Sequence, residues 1–277
     1  MKSNFNRRAW MSGAARMGIA GCLLGGCKSA PMTGRKQLLL LPESQEIAMG
    51  QQEFGQILQE EPISQDQRLS AMVHRVGTRL AAVAGKPNYQ WDFRLLQSET
   101  PNAFCLPGGK VAVYDGILPV CQTEAGLAVV MSHEISHAIA RHGGERMSQK
   151  MGVNAVQTAL DYTFSGTSGA TQGLVRSAYG AASQYGVILP YSRKHESEAD
   201  LMGIQLMARA GYDPSEAPRF WSRFGQIAAS SSQKPPEWLS THPSDQRRST
   251  DLAAALPNAD MIYQTTPARY GMGEAIL

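Results

Sequence analysis

The stretch that most constrains this chain is Met131-Ser132-His133-Glu134-Ile135-Ser136-His137, which reads H-E-x-x-H. On a helix, residues four apart lie one turn above each other on the same face. His133 and His137 can then aim both imidazoles at one point, and Glu134 between them can reach a water held there. That is the geometry of a zinc ion with two histidine ligands and a carboxylate general base.

The flanking residues support a helix. Thr123 is a good N-cap, and Glu124 puts negative charge in the first turn, where the helix dipole favours it. Leu127 to Met131 is apolar on every side, as in a helix crossing a core, and Ile135, Ala138 and Ile139 extend the buried stripe. Gly143-Gly144 is expected to stop or kink the helix. A catalytic zinc takes three protein ligands and keeps one open position. The best third ligand lies downstream in Tyr191-Ser192-Arg193-Lys194-His195-Glu196-Ser197-Glu198-Ala199-Asp200. Glu196 and Asp200 share a helical face, so Glu196 would bind the ion and Asp200 would orient a ligand histidine from behind. Glu198 is expected in solvent and His195 facing away from the metal.

H-E-x-x-H followed by Glu196 to Asp200 resembles the HtpX/BepA/Oma-type family of membrane-associated zinc metallopeptidases, gluzincins. Asn102-Ala103-Phe104-Cys105-Leu106-Pro107-Gly108-Gly109, with Val111 to Asp115, is similar to the family's cleft-lining edge strand and hairpin, and Ser240-Thr241-His242-Pro243 to its late S-T-H-P element. The resemblance covers roughly residues 38–256. It implies a mostly helical α+β fold, a zincin-like domain with a small β-sheet whose edge strand lines the cleft. It implies one Zn²⁺ per chain on His133, His137 and Glu196, with Glu134 as base. In some periplasmic relatives the S-T-H-P histidine occupies the open metal position and holds the enzyme inactive; His242 is the matching residue. Tyr191, Arg193 and His242 are unranked candidates for a second oxyanion donor.

Residues 1–26 read as an export leader. Lys2, Arg7, Arg8 and Arg16 face no acid there, so of the formal net charge of +3 the rest of the chain carries −1. That near-neutral body gives no electrostatic reason for nucleic-acid binding. Met17 to Leu24 is too short to span a bilayer. Leu24-Gly25-Gly26-Cys27 resembles a bacterial lipobox, with Cys27 the lipidated residue; Ile19-Ala20-Gly21-Cys22 is the alternative, disfavoured because Arg16 shortens its apolar run. Asn6-Arg7-Arg8-Ala9-Trp10-Met11 weakly resembles a twin-arginine signal, so export by the Sec or the twin-arginine route is expected. The implied location is the periplasm, on the outer membrane through a lipid anchor.

The expected organisation is a leader (1–26), an anchored tether (27–42) whose Leu38 to Leu41 dock on the body, a metallopeptidase domain (43–256) and a tail (257–277). At 43% hydrophobic residues the chain can bury a sizeable core. Ser44 would cap a first helix, and Ser64 with Gln67 a second carrying Leu69, Val73, Val76 and Leu80. His74 reads as a surface residue. Trp91, Phe93 and Leu95 alternate as a strand, and Lys110 to Tyr114 returns as another. An edge strand at Asn102, Ala103 and Phe104 would add an extended substrate by backbone pairing. Two helices over 153–164 and 174–187 would form either a wall or lid of the cleft, or plain filler. Gly211 would end the Glu196 helix, and Asp213-Pro214-Ser215-Glu216 start another. Cys105 and Cys121 are left open between a disulfide and two buried thiols.

The class this supports best is a peptidase trimming unfolded or misassembled envelope proteins. A non-catalytic zinc lipoprotein acting as chaperone or scaffold is the other reading. A peptidase for prenylated or intramembrane substrates is disfavoured, since no apolar run is long enough to span a membrane. Oligomeric state is not legible.

Overall fold

The computed structural model describes residues 27–184, 189–230, 242 and 246–276. Its organising element is the H-E-x-x-H helix, numbered α4 in chain order and running Glu124–Ile139, buried at every position but His137. Before it come a hairpin of β1 (Cys27–Ser29) and β2 (Lys36–Leu38), then α1 (Glu43–Glu60) and α2 (Gln67–Val83). Next are β3 (Asp92–Leu96), β4 (Ala103–Leu106), β5 (Lys110–Tyr114) and one helical turn, α3 (Leu118–Cys121). After it come α5 (His142–Thr163), α6 (Gly169–Ser183), α7 (Leu189–Arg209), α8 (Glu216–Ser230) and α9 (Gln246–Thr265). The architecture is mostly helical α+β.

In the sheet, ordered β3-β5-β4, β5 runs parallel to β3 and antiparallel to β4. Its two faces are used separately, as the period of two requires. Leu95, Ala103, Val111 and Val113 join the main core with α2, α4, α7, α8 and α9. Leu96 and Ala112 pack with Phe54 of α1 on the other face. Burying Phe54 stabilises that layer by about 1.5–3 kcal/mol. β4 is left at the sheet's edge, beside α4.

Helix starts follow side-chain chemistry, with two changes from expectation. Thr123 Oγ1 accepts from Gly126 N at 3.2 Å and caps α4. Asp66, not Ser64, caps α2, accepting from Leu69 N at 2.9 Å. Ser44 lies inside the first turn of α1, whose N-cap Pro42 makes no side-chain bond. Gly126 fits where α3 crowds α4: a Cβ there would stand 2.0 Å from Cys121 O.

The break after α4 also differs from expectation. It falls at Arg141, in the left-handed region (φ 57°), rather than at Gly143-Gly144. Glu46 on α1 holds that residue, taking bonds from Arg141 Nε (3.0 Å) and Nη2 (2.7 Å). Gly144 serves a different need, since a Cβ would meet Glu46 Oε1 at 1.9 Å. The helical hairpin α5–α6 starts well before residue 153. Its root is buried at His142, Glu145 and Ser148, while Met151, Val156, Tyr162 and Leu174 further out are exposed. Gly211 (φ 87°) terminates α7 as expected.

Among the described residues, the segments expected as tether and tail carry regular structure. β1 and β2 pair from Cys27↔Leu38 to Ser29↔Lys36, and Ala30, Gln37 and Leu39 are buried. Past Pro257, α9 continues to Thr265. Residues 272–276 then bond the start of α4: Glu124 N to Glu274 O (2.9 Å) and Ala125 N to Met272 O (3.0 Å). Those amides have no partner inside their own helix, so the returning chain satisfies them. No helix among the described residues is long and apolar enough to cross a membrane.

Candidate metal centre

Helix α4 places His133 and His137 one turn apart with their Nε2 atoms 3.1 Å from each other. Helix α7 packs closely against this turn at Gly203, where a Cβ would stand 3.2 Å from His133 N. That approach carries Glu196 to the imidazoles. Its Oε2 lies 3.3 Å from His133 Nε2 and its Oε1 3.5 Å from His137 Nε2. His242 joins from the chain between α8 and α9, Nδ1 at 2.8 Å from Glu196 Oε2 and 3.1 Å from His133 Nε2. His133, His137, Glu196 and His242 form a possible metal site.

The donor set fits a divalent cation. Donors bonded to a tetrahedral zinc stand about 3.3 Å apart, given bonds near 2.0–2.1 Å. Two imidazole nitrogens 3.1 Å apart cannot both present bare lone pairs; a proton or a cation must lie between them. Glu196 Oε1 is buried and makes no hydrogen bond among the described residues. Titration behaviour agrees. Burial lowers the pKa of His133, but the bonds to Asp200 and Glu196 prevail and raise it to about 9. Burial depresses His137 well below the usual imidazole range, against the pull of Glu196. The Glu196 carboxyl is held far below the carboxylate range: burial opposes this, but His137, His133 and His242 outweigh it.

Behind the cluster, the other ring nitrogen of each H-E-x-x-H histidine faces a polar partner, the arrangement usual for metal-binding imidazoles. His133 Nδ1 lies 3.0 Å from Asp200 Oδ1. Arg248 of α9 grips that carboxylate at 2.7 and 2.8 Å and stacks 3.6 Å over Trp221. His137 Nδ1 lies 2.8 Å from His142 Nδ1, and His142 Nε2 lies 2.9 Å from Glu198 Oε2. In front is a cleft of about 340 Å³, lined by residues 102–107, Glu134, His137, His242 and the root of α5. A larger cavity of about 540 Å³ lies between α2 and β3, beside His74, Trp91 and Phe93, away from the ligand cluster.

Residues 67–256 match the sequence model of Peptidase family M48. The chain belongs to that family. It is 36% identical over 194 residues to the mitochondrial metalloendopeptidase OMA1 of Schizosaccharomyces pombe, covering 70% of this chain and 55% of the relative. With OMA1 of Saccharomyces cerevisiae it shares 28% identity over 267 residues, 87% of this chain and 75% of that one. It is 31% identical over 226 residues to the beta-barrel assembly-enhancing protease of Yersinia pestis, 80% of this chain and 46% of the relative. The chain thus spans about half the length of the first and third of these.

In this M48 chain the residues singled out from sequence divide as follows. His133, Glu134, His137, Glu196, Asp200 and His242 converge; His242 Nε2 is 3.5 Å from Glu134 Oε1. Asn102, Ala103 and Phe104 line the cleft through the edge of β4, while the Phe104 ring packs toward Phe54. Arg193 is exposed on α7. The side chains of Tyr191 and Cys27, the leader and the rest of the S-T-H-P element lie outside the described residues. Glu198 is not in solvent. It is buried, bonded to His142, Arg35 and Thr33, because α5 and the β1–β2 hairpin close over that face of α7. His195 faces Glu145 at 3.0 Å and stacks on His142. Of the hairpin α5–α6, the root is what walls the cleft. Cys105 and Cys121 are free thiols. Arg248, His142 and Arg35 were not legible in advance: no spacing links them to the motif.

Proposed function

We propose that this chain is a zinc-dependent endopeptidase of the bacterial cell envelope. In this reading it is lipid-anchored in the periplasm through Cys27 and hydrolyses unfolded or misassembled envelope proteins. What carries the reading is one juxtaposition: His133, His137 and Glu196 converge next to Glu134, with the open edge of β4 alongside. Zinc held by His133, His137 and Glu196 would supply a Lewis acid and acidify a water near neutral pH.

The chain's own groups do the rest. The backbone of residues 102–106 pairs with an extended substrate as one more strand, which selects unfolded segments and holds the scissile carbonyl beside the cluster. Glu134, buried at the cleft floor, takes the proton of the attacking water and passes it to the leaving amine. His242, 2.8 Å from Glu196, holds the resting site closed until substrate displaces it. The name of the Yersinia pestis relative, which concerns β-barrel assembly, and the resemblance of residues 1–27 to an export leader ending in a lipobox support the envelope assignment.

The test is Glu134→Gln in the purified protein. Metal content should stay near one zinc per chain, while cleavage of an unfolded protein falls at least 10²-fold, about the lower bound for losing a general base. Substantial chelator-sensitive cleavage by the variant would remove Glu134 from the mechanism.

A further inference from the structure

We infer that Arg35, on the N-terminal hairpin, is a positioning residue for the metal centre: it sets the Glu198 carboxylate that orients His142 and, through His142, the ligand His137. The inference rests on the metal-site reading given above. Arg35 Nε donates to Glu198 Oε2 at 2.7 Å, while Nη1 and Nη2 donate to Glu145 at 3.0 and 2.7 Å. Thr33 donates to the other oxygen of Glu198, and Gln37 Nε2 to Glu145 Oε2 at 3.1 Å. Three residues of one hairpin thus converge on two carboxylates that are 1% and 5% exposed. Buried carboxylates must be paired with a cation or hydrogen-bond donors to stay ionised. A guanidinium matches the task, because its planar fork serves both acids at once and an ammonium cannot.

Proton positions follow from the geometry. His137 Nε2 faces the cluster, so Nδ1 carries the hydrogen and donates to His142 Nδ1. His142 must then carry its own hydrogen on Nε2, which donates to Glu198. Every bond in the chain His137–His142–Glu198 has one direction, and it ends on an ionised carboxylate. The other ligand histidine is held in the same manner, through Asp200 and Arg248, with no imidazole in between. Each imidazole of the H-E-x-x-H pair is therefore fixed by a carboxylate that an arginine locks. For His137 that arginine comes from outside the domain's core, on a hairpin whose first strand begins at Cys27. The strand pair next to the proposed anchor is thus part of the outer wall of the metal centre.

The experiment measures zinc affinity of the full chain by competition with a chromophoric chelator. Arg35→Met should weaken zinc binding about 10–100-fold, the usual loss for a partner behind a ligand. Arg35→Lys should recover only part of it. In a His142→Phe background, Arg35→Met should add less than about 3-fold, because its route to His137 is already cut. A merely structural role predicts the opposite: lower thermal stability of the metal-free protein, but full additivity with His142→Phe. Unchanged zinc affinity in Arg35→Met, or full additivity, overturns the inference while leaving the peptidase reading intact. A parent protein that binds no zinc overturns both. If Arg35→Met does not fold, Glu198→Gln keeps the shape and should show the same loss; parental affinity in that variant overturns the inference too.

Discussion

Replacing Arg248 by methionine removes the cation that holds Asp200, and the cost can be worked from the geometry. Arg248 and Asp200 are each 5% exposed and share two charge-assisted bonds of 2.7 and 2.8 Å. Removing one partner of such a pair strands a buried charge, at about 3–5 kcal/mol. Losing the stack on Trp221 adds about 1 kcal/mol. At roughly 2–4 °C per kcal/mol for a chain of this size, a loss of about 4–6 kcal/mol should lower the melting temperature by about 8–24 °C. The assay is thermal unfolding in chelator, so that metal binding does not contribute. Adding Asp200→Asn removes the stranded charge, so the double variant should melt above Arg248→Met. A fall of less than about 3 °C, or a double variant less stable than Arg248→Met, would refute the argument that Arg248 acts by neutralising Asp200.

Two further outcomes are expected. His242→Ala should raise cleavage of unfolded protein, since the group 2.8 Å from Glu196 is removed; unaltered or lowered cleavage ends the inhibitory role. For Glu145, burial raises the carboxyl pKa, but bonds from His195 and Arg35 prevail and hold it at about 2, below the ordinary 4.5. A depressed carboxyl stabilises the fold above pH 4.5, and that stability drains as pH falls toward 2, on the order of 3 kcal/mol in all. Urea midpoints at pH 5 and pH 3 should therefore differ less in Glu145→Gln than in the parent; equal differences would exclude Glu145 as the source.

The local rules that could be read directly were those confined to one turn of helix or one strand. Four-residue spacing alone puts His133 and His137 on one face of α4, and Thr123 announces its start. The alternation of Trp91, Phe93 and Leu95 is the signature of β3. Gly211 ends α7 because only a residue tolerant of positive φ suits that position. Where several polar residues competed for a role, local reading chose less well. Asp66 displaced Ser64 as a cap, and the α4 break went to Arg141 because Glu46, 95 positions away, supplies the bonds that hold it.

His133, Glu134, His137 and the candidacy of Glu196 and Asp200 were thus decided by the sequence itself, since helical periodicity carries that information over four residues. Which groups stand behind them was decided only by the tertiary structure. Glu198 looks like any solvated acid on a charged helix until the hairpin at residues 27–38 and the root of α5 close over it. Arg248 and Arg35 reach the site from elements 48 and 163 positions from the carboxylates they lock. The physical reason is that a buried charge is settled by its three-dimensional neighbours, and no short-range pattern records who those neighbours are.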